Sequence, residues 1–302
     1  MNVSVIIPVY NGEKFIEQSI ISAINQAYVY EVIVIDDNSN DQTLEIAIRL
    51  SLKYNNLVIL KNITGVKGSA SARNIGIKAA QSEFIAFLDA DDFYFKGRFV
   101  DEMNIFSNRQ EVDGVYQSVS VHYKSPELKE KYGIWQGSRD VVGMIKPVDA
   151  EKLFYSILKG GNGWIHLNGF CIKKESLLRV GLFDEELITA QDIDLILRCA
   201  LQLNIIPGSN LDKFKAARVI HGGNIIFDLE KVGLYRQVYS EKWFNLMLHS
   251  NWDKKINYFL FRNYIISQNL IGRDQRAKKY LFFLLNTIRT LITNPTIFKK
   301  IF

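Results

Sequence analysis

Short apolar segments that alternate with helical ones constrain the fold of this chain more than any other feature. Four segments have the length of a strand and are mostly aliphatic or aromatic: Val3–Pro8, Glu31–Asp36, Leu57–Leu60 and Phe84–Leu88. Between them, apolar residues recur at the 3.6-residue spacing of a buried helix face, as in Ile16, Ile20, Ala23 and Ile24. Strands that alternate with helices in this way predict an α/β fold with a mixed, mostly parallel sheet flanked by helices.

Three carboxylates, Asp89, Asp91 and Asp92, follow the fourth strand with only Ala90 between them. Clustered acids at the end of a buried strand raise the free energy of the fold unless a cation or hydrogen-bond donors meet them. Mg²⁺ and Mn²⁺ take carboxylate oxygens and fill their other positions with water and phosphate. The pattern therefore indicates either a divalent metal site or a solvated acidic turn after a core strand.

Two other strand ends carry polar residues as well. Tyr10 follows the first strand, and Asp36 and Asp37 end the second. Because the carboxyl ends of parallel strands meet at one rim of the sheet, where open α/β sheets bind their ligands, these side chains are expected to converge with the three acids. Asp36 and Asp37 can alternatively serve turns and caps, and Ser39 with Gln42 predicts a helix start.

Composition and motifs limit the classes of function. The chain lacks G-x-G-x-x-G after the first strand and G-x-x-x-x-G-K-[ST] throughout, which removes the main support for dinucleotide-binding and P-loop proteins. Its 302 residues, 48% of them hydrophobic, suffice for a sizeable core. Cys171 and Cys199 have no metal-ligand spacing and are expected to be reduced core residues of a cytosolic protein. Neither a signal peptide nor a membrane-spanning helix is expected.

The net charge of +5 is unevenly distributed. Residues 253–302 hold ten basic and two acidic side chains, a net charge of +8, whereas the rest of the chain carries −3. Apolar residues from Leu281 to Ile292 form one face of a predicted helix in this segment. The helical layer is expected either to pack on the protein or on a second subunit, or to contact an anionic membrane. Nucleic-acid binding is not expected, because the basic run lacks any recognisable motif.

The pattern is less regular after residue 111, and the segment from Lys124 to Pro147 is predicted to be a polar excursion. The predicted elements are strands at Gly114–Tyr123, Leu167–Ile172 and Ala217–Ile220 and helices at Lys174–Val180 and Asp192–Gln202. The residues after Asn224 are predicted to be helical.

Six short motifs resemble those of the family 2 glycosyltransferases and occur in the family's order. They are Val5–Asn11, Glu31–Asp37, Ala72–Gly76, Phe87–Asp92, Gly181–Glu185 and Gln191–Leu195. The resemblance covers roughly residues 1–225 and implies the GT-A fold, with a nucleotide-sugar-binding half at 1–115 and an acceptor-binding half at 116–225. Residues 226–302 are predicted to form a helical C-terminal extension.

The resemblance implies a donor site at the rim of the sheet. Pro8 and Tyr10 would flank the base, and Asp37 would accept a hydrogen bond from the imide N–H of a uracil or thymine. A UDP-linked donor is favoured over a GDP- or dTDP-linked one. Arg73, at the start of a helix after a loop of small residues, would bind the diphosphate. The alternative for Arg73 is a surface ion pair with a nearby acid.

The resemblance also implies metal ligands in the acid cluster. Asp91 would be the main ligand of Mn²⁺ or Mg²⁺, and Asp89 would lie nearer the ribose or meet the metal through water. Ala90 belongs to the same nucleotide-sugar-binding set. His221 would complete the metal or diphosphate shell, or is simply hydrogen-bonded. A metal held there would neutralise the charge that develops on the departing diphosphate.

Asp192 matches the acid that removes the acceptor proton in inverting members of the family. Gln191 stands where that family often has Glu, which takes away one neighbouring charge. Asp194 lies on nearly the opposite face of the same helix and is expected to pair with Arg198, four residues further on. The alternative for Asp192 is a capping box that begins at Thr189.

The resulting prediction is a metal-dependent, inverting glycosyltransferase that uses a nucleoside-diphosphate sugar and a glycan or lipid-linked acceptor in surface polysaccharide synthesis. We expect a cytoplasmic protein, peripheral on the inner face of the plasma membrane, alone or as a homo-oligomer. Two alternatives stay open. One is a sugar nucleotidyltransferase, although the first strand lacks the Gly-rich basic loop of that class. The other is an inactive assembly partner at the membrane, for which the change at Gln191 is the argument.

Overall fold

The computed structural model describes residues 1–136, 140–187, 189–224, 227–268 and 295–301, together with Thr287 and Thr290. The chain divides into two compact units, Met1–Gly222 and Gly223–Phe302. The apolar helix face predicted between Leu281 and Ile292 is carried by residues outside the described ranges, so it stays a prediction.

Strands and helices alternate in the first half of the first unit. They are β1 (Val3–Val9), α1 (Ile16–Ile24), β2 (Val29–Asp36), α2 (Thr43–Ser51), β3 (Leu57–Lys61), α3 (Ser69–Ala79), β4 (Phe84–Phe87), β5 (Phe93–Tyr94) and α4 (Val100–Asn108). The second half contains β6 (Gly114–Tyr116), β7 (Val119–Tyr123), α5 (Pro126–Gln136), β8 (Val141–Val142), α6 (Ala150–Lys159), a 3-10 helix (Leu167–Gly169), β9 (Phe170–Lys173), α7 (Lys174–Val180), α8 (Gln191–Gln202), β10 (Ile205–Pro207) and β11 (Ala216–Ile220).

Seven strands form the main sheet, in the order β10-β6-β9-β4-β1-β2-β3. Strand β9 runs antiparallel to its neighbours β4 and β6, and the other pairs are parallel. Every residue of β1 is buried, because α1 and α3 pack against this central strand. The predicted mixed, mostly parallel sheet with flanking helices is confirmed.

Helix α3 packs closely on the sheet because Gly76 has no side chain. A Cβ atom at this position would lie 2.6 Å from Cγ2 of Ile6 and 2.8 Å from Cδ1 of Ile35. A closely packed interior does not tolerate such short contacts, so any larger residue would push the helix away from β1 and β2. This close approach sets the position of Arg73 and Asn74, which lie one turn earlier on the same helix.

A second sheet has the order β5-β11-β7-β8. The prediction of one strand over Gly114–Tyr123 is wrong, because β6 joins the main sheet and β7 joins the second one. Between them, the Gln117 N–H donates to Gly169 O at 2.8 Å. The predicted strand Leu167–Ile172 also starts late, at Phe170, after the 3-10 helix. A local apolar pattern does not tell which sheet a strand joins.

The two capping boxes that the sequence suggested are not formed. Helix α2 begins at Thr43, and its first N–H donates to Asp41 at 3.0 Å, whereas the predicted box needed a cap at Ser39. Helix α8 begins at Gln191 without a hydrogen bond from a capping side chain, so the box that would begin at Thr189 is not formed. At α2 the Ser39 hydroxyl instead accepts from the Asn11 N–H at 3.0 Å.

The second unit contains α9 (Leu229–His249), α10 (Lys254–Gln268) and α11 (Pro295–Ile301). The Phe244 ring of α9 stacks on Tyr264 of α10, with 4.2 Å between the ring centres. Lys300 of α11 donates from Nζ to three carbonyl oxygens near the end of α9, those of Met247, Leu248 and Ser250. Among the helices that the structure describes, none is long and apolar enough to cross a membrane.

Candidate active site

The ends of β1, β2 and β4 lie side by side in the main sheet. The Asp37 N–H donates to Val9 O at 2.7 Å, just beyond the last residue pair of β1 and β2. The Leu88 N–H donates to Ile6 O at 3.0 Å, which joins the end of β4 to β1. The polar residues that follow these strands therefore lie along one rim of the sheet, where open α/β sheets bind ligands.

Asp37 is buried at this rim, and both of its carboxylate oxygens accept hydrogen bonds from the protein. Asn62 donates from Nδ2 to Oδ1 at 2.6 Å, and the Gly68 N–H donates to Oδ2 at 2.7 Å. These donors orient the carboxylate, and each oxygen keeps a second lone pair for another donor. Pro8 is buried in β1, while Tyr10 is 56% exposed just after it. The rim thus offers an oriented acceptor and an accessible aromatic ring.

Arg73 of α3 is buried and only partly satisfied. Its Nη2 donates to Asp89 Oδ1 at 2.7 Å, and its guanidinium lies 5.4 Å from the centre of the Phe183 ring. Its Nε and Nη1 are buried without a hydrogen-bond partner in the part of the chain that the structure describes. Unpaired donors on a buried cation raise the free energy, and an anionic ligand would satisfy them. Arg73 therefore pairs with an acid of the site itself and is not a surface residue.

The three acids after β4 have three different environments. Burial acts to raise the pKa of Asp89, but the Arg73 guanidinium together with His166 and Arg218 outweighs it, and this pKa lies below its ordinary value. Asp91 is partly exposed, and its Oδ2 lies 2.9 Å from Nε2 of His221. Asp92 is buried, and burial together with the charges of its two neighbours raises its pKa well above the ordinary value. One turn thus holds an ionised carboxylate, a carboxylate facing an imidazole and a carboxyl that favours its proton.

His166 also lies close to these acids, since ligand atoms of Asp89, Asp92 and His166 lie within 4.8 Å of one another. The ring is nevertheless a poor metal ligand in this geometry. Its Nδ1 accepts from the Asn168 N–H at 3.3 Å, so the neutral ring carries its proton on Nε2. Burial, and after it the charge of Arg218, lowers the pKa of His166 to about 3. Asp92 is a poor ligand too, because its side chain is buried and its raised pKa favours the protonated carboxyl.

Asp91 and His221 fit a divalent metal better. Both side chains are partly exposed, and their nearest ligand atoms converge to 2.9 Å. A single cation can take the place of the proton that these two groups share, with Asp89 supplying a further oxygen from the same turn. The Phe15 ring stacks on His221 with 4.5 Å between the ring centres, which orients the imidazole. The two carboxylates suit a hard cation such as Mn²⁺ or Mg²⁺.

Asp192 and Asp194 have different partners. Asp194 is fully buried, and its Oδ2 accepts from Arg198 Nε at 2.9 Å, which confirms the predicted ion pair. Asp192 is partly exposed, and its Oδ1 accepts from the Ile193 N–H at 2.9 Å. Burial raises the pKa of Asp192, and the charge of Arg73 opposes that shift. Arg73 is therefore near enough to Asp192 to act on its ionisation.

Helix α3 also holds the segment that leads into α8. The Asn74 side chain donates to Phe183 O at 2.9 Å and to Glu185 Oε1 at 2.8 Å, and it accepts from the Phe183 N–H at 2.9 Å. At the start of α8, Gln191 donates from Nε2 to the Ser69 hydroxyl oxygen at 2.7 Å. An ionised Glu in the place of Gln191 has no hydrogen to donate in this contact. Both ends of the segment before the candidate base are thus tied to α3.

Two residues of the site were missed by reasoning from the sequence. The charge of Arg218 influences the pKa of four site groups: Asp89, Asp92, His166 and Asp192. Within the described residues no hydrogen bond or ion pair involves its guanidinium. The available signal was a single charge in the apolar strand Ala216–Ile220. Asn168, which contacts the acid turn (Asp89–Asp92), had no comparable signal.

The sequence matches the family model described as "Glycosyl transferase family 2" over residues 4–185. It is 28% identical over 306 residues to the "Amylovoran biosynthesis glycosyltransferase AmsB" of Erwinia amylovora, covering 96% of this chain and 97% of that protein. It is 38% identical over 96 residues to the "Poly(ribitol-phosphate) beta-glucosyltransferase" of Bacillus spizizenii, covering 31% of this chain and 15% of that protein. The chain spans less than half of the length of the first curated relatives it matches.

Among solved structures, S. aureus TarS 1–349 in complex with UDP-GlcNAc is similar to this chain with a TM-score of 0.63. The two sequences are 20% identical, and the match covers 90% of this chain and 74% of that one. This similarity confirms the predicted GT-A-like fold.

Proposed function

Because the chain belongs to glycosyl transferase family 2, we propose that it is an inverting enzyme that moves a sugar from a nucleoside-diphosphate donor to a glycan or lipid-linked acceptor. The observation that carries this proposal is the buried Arg73, which pairs with Asp89, retains unpaired donors and acts on the raised pKa of Asp192. Relatives named for amylovoran biosynthesis and for poly(ribitol-phosphate) glucosylation support a role in the synthesis of a surface polysaccharide.

The donor binds to residues 1–115 in this proposal. The base lies between Pro8 and Tyr10, and its imide N–H donates to Asp37, which Asn62 and Gly68 orient. This acceptor suits the imide N–H of uracil or thymine, and we favour a UDP-sugar among these donors. The UDP-GlcNAc complex of a protein with the same fold supports that choice.

The diphosphate lies beside Arg73 and Arg218, whose guanidinium groups have hydrogen-bond donors available, and next to the turn that contains Ala90. Asp91, Asp89 and His221 would hold the Mn²⁺ or Mg²⁺ ion. When bound, this ion neutralises the negative charge that develops on the departing nucleoside diphosphate. In this proposal the carboxylates bind the cation, and the arginines contact the phosphate oxygens.

Asp192 acts as the general base. Its carboxylate accepts the proton of the acceptor hydroxyl while the hydroxyl oxygen attacks the anomeric carbon of the donor sugar. The bond from that carbon to the diphosphate oxygen breaks, its electron pair leaves with the diphosphate, and the configuration inverts. Because burial raises the pKa of Asp192, the carboxylate is a stronger base than an exposed aspartate would be.

Residues 116–225 provide the acceptor-binding half, to which the turn Gly181–Glu185 contributes. Residues 226–302 form the helical extension. Its basic part, 253–302, contacts anionic lipid on the inner face of the plasma membrane, which would bring the enzyme to a lipid-linked acceptor. Vesicle sedimentation with and without anionic lipid tests this contact. An absence of binding to anionic vesicles would contradict it and leave packing on the protein or on a second subunit as the role of the extension.

A transfer assay with UDP-, GDP- and dTDP-sugars in the presence of Mn²⁺ tests the proposed function. We expect Asp192→Asn to lower kcat by about 10²–10⁴-fold, the range that a positioned general base contributes, while UDP binding stays close to wild type. Glu186→Gln, an exposed acid near the same segment, is the matched control. Near-wild-type turnover of Asp192→Asn would exclude this base, and binding without transfer to any acceptor would favour an inactive assembly partner.

A further inference from the structure

We propose that Asn168 is a positioning residue that fixes the acid turn, Asp89–Asp92. Its amide and the carboxyl of Asp92 form a donor–acceptor pair, and the two side chains can be exchanged with each other by a double substitution that keeps the hydrogen bonds. The inference rests on the proposed function, because the acid turn is where the metal and the diphosphate are assigned. Asn168 lies in none of the six family motifs, and 76 residues separate it from Asp92.

The Asn168 side chain holds both ends of the acid turn. Its Oδ1 accepts from the Asp89 N–H at 3.0 Å, and its Nδ2 donates to Asp92 Oδ2 at 2.5 Å. The turn itself is closed by the Asp92 N–H, which donates to Asp89 O at 3.0 Å. One amide thus fixes the spacing between the first and last acids, and with it the position of Asp91 between them.

Asn168 is itself held firmly. It is fully buried, and its carbonyl oxygen accepts from Arg98 Nε at 3.1 Å. Arg98 is in turn paired with Glu102, and neither side chain is exposed. The Asn168 N–H donates to His166 Nδ1 at 3.3 Å. With both backbone groups and both side-chain groups engaged, the amide has little freedom to follow a turn that moves, so it acts as a fixed support.

The same pair connects the acid turn to the second sheet. Asp92 Oδ1 accepts from the Val219 N–H of β11 at 2.7 Å. Val219 is next to Arg218 and lies two residues before His221, whose ring faces Asp91. The Asn168–Asp92 pair therefore sets the acid turn and β11 relative to each other, which decides whether Asp91 and His221 can meet on one cation.

An asparagine is suited to this position because it offers one acceptor and one donor on the same planar group. With Asn168→Asp, the acceptor for Asp89 N–H remains, but a second carboxyl faces Asp92. With Asp92→Asn, two amides face each other and Val219 N–H competes for the remaining oxygen. In the double exchange, Asn168→Asp with Asp92→Asn, the amide at 92 donates, the carboxylate at 168 accepts, and all the bonds can form again with the formal charge unchanged.

The test compares the wild type, the two single variants and the double exchange. Calorimetry measures the Kd of UDP with and without Mn²⁺, steady-state kinetics separates KM for the donor from kcat, and thermal unfolding reports on the fold. We expect each single variant to weaken Mn²⁺-dependent UDP binding and raise the donor KM by about 10–100-fold, as substitutions behind metal ligands do. The double exchange is expected to recover most of that loss.

A merely structural Asn168 would lower the thermal midpoint but leave Kd and KM of the folded protein within twofold of wild type, and that result would overturn the inference. A double exchange that binds UDP no better than the single variants would overturn it as well. If Asn168→Asp does not fold, the comparison of Asp92→Asn with the double exchange still tests the inference. A wild-type protein that binds no UDP would instead overturn the proposed function, and this inference with it.

Discussion

The Arg73 guanidinium donates to the Asp89 carboxylate at 2.7 Å, and this contact joins the helix that approaches the sheet at Gly76 to the turn that follows β4. The side chain of Arg73 is 7% exposed and that of Asp89 is 32% exposed. The Arg73 guanidinium is therefore shielded from water, whereas the Asp89 carboxylate that pairs with it is still accessible to water. Such a cation gives up little hydration when an anion arrives, so the pair is suited to bind a phosphate group.

Arg73→Lys is expected to raise the donor KM and the Kd of UDP by about 10-fold or more, because a hydrogen bond to a charged group contributes about 1.5–3 kcal/mol and an ammonium lacks the planar fork of arginine. Donor kinetics and calorimetry measure both constants. Arg49→Lys is the control, since Arg49 forms an exposed pair with Glu17. Equal constants in wild type and Arg73→Lys would exclude Arg73 from the diphosphate site.

The pH dependence of kcat/KM reports on Asp192. A carboxylate base loses function as the pH falls through its pKa, and burial raises the pKa of Asp192 above the ordinary 3.8. We therefore expect the acid limb of the profile above pH 3.8. Arg73→Met removes a charge that opposes the shift and is expected to move the limb to higher pH, whereas Arg73→Lys keeps the charge and the limb. A limb that is identical in both variants would contradict the assignment.

Metal dependence distinguishes the two imidazoles near the acids. Asp91→Ala and His221→Ala are expected to abolish the gain in UDP affinity that Mn²⁺ provides, because they remove proposed metal ligands. His166→Gln is expected to retain most of that gain, since the ring nitrogen that accepts from Asn168 can be replaced by an amide oxygen. Calorimetry with EDTA and with Mn²⁺ measures the gain. The opposite ranking of the two histidine variants would move the metal to His166.

Asn74→Leu is expected to lower the free energy of unfolding by about 3 kcal/mol, because three hydrogen bonds to the segment around Phe183 are lost at about 1 kcal/mol each. Urea denaturation measures the change. Asn108→Ala, at an exposed helix end, should stay within about 0.5 kcal/mol of wild type. If both variants unfold alike, the Asn74 contacts do not hold the segment that leads to Asp192.

Most elements that carry the site could be predicted from local patterns. Each of four site residues lies within about three residues of a predicted strand end or helix start: Asp37, Arg73, Asp89 and Asp192. The structure brings the predicted strand ends to one rim of the main sheet, and the charge of Arg73 acts on the pKa of Asp192. The ion pair of Asp194 with Arg198 was predictable for the same reason, since both residues lie on one helix. Periodicity over a few residues predicts where these elements end, and the parallel arrangement of the strands brings their ends to one rim of the sheet.

The errors have a different origin. Gly114–Tyr123 has the apolar content of one strand, but it divides between two sheets. The segment between the two strands contains Gln117, whose N–H donates to Gly169 O. Two capping boxes fit the sequence rule, yet neither is formed in the structure. In these cases several local arrangements have similar free energies, and long-range packing selects one of them.

By itself, the sequence determined the alternation of strands and helices, the rim at which the polar strand ends meet, and the family to which the motifs belong. The tertiary structure alone decided the partners: Asn62 for Asp37, Asn168 for Asp92, and Arg218 among the acids. The physical reason is that periodicity is a property of neighbouring residues, whereas a buried hydrogen bond joins groups far apart in the chain. Which of these groups meet depends on the packing of the whole unit.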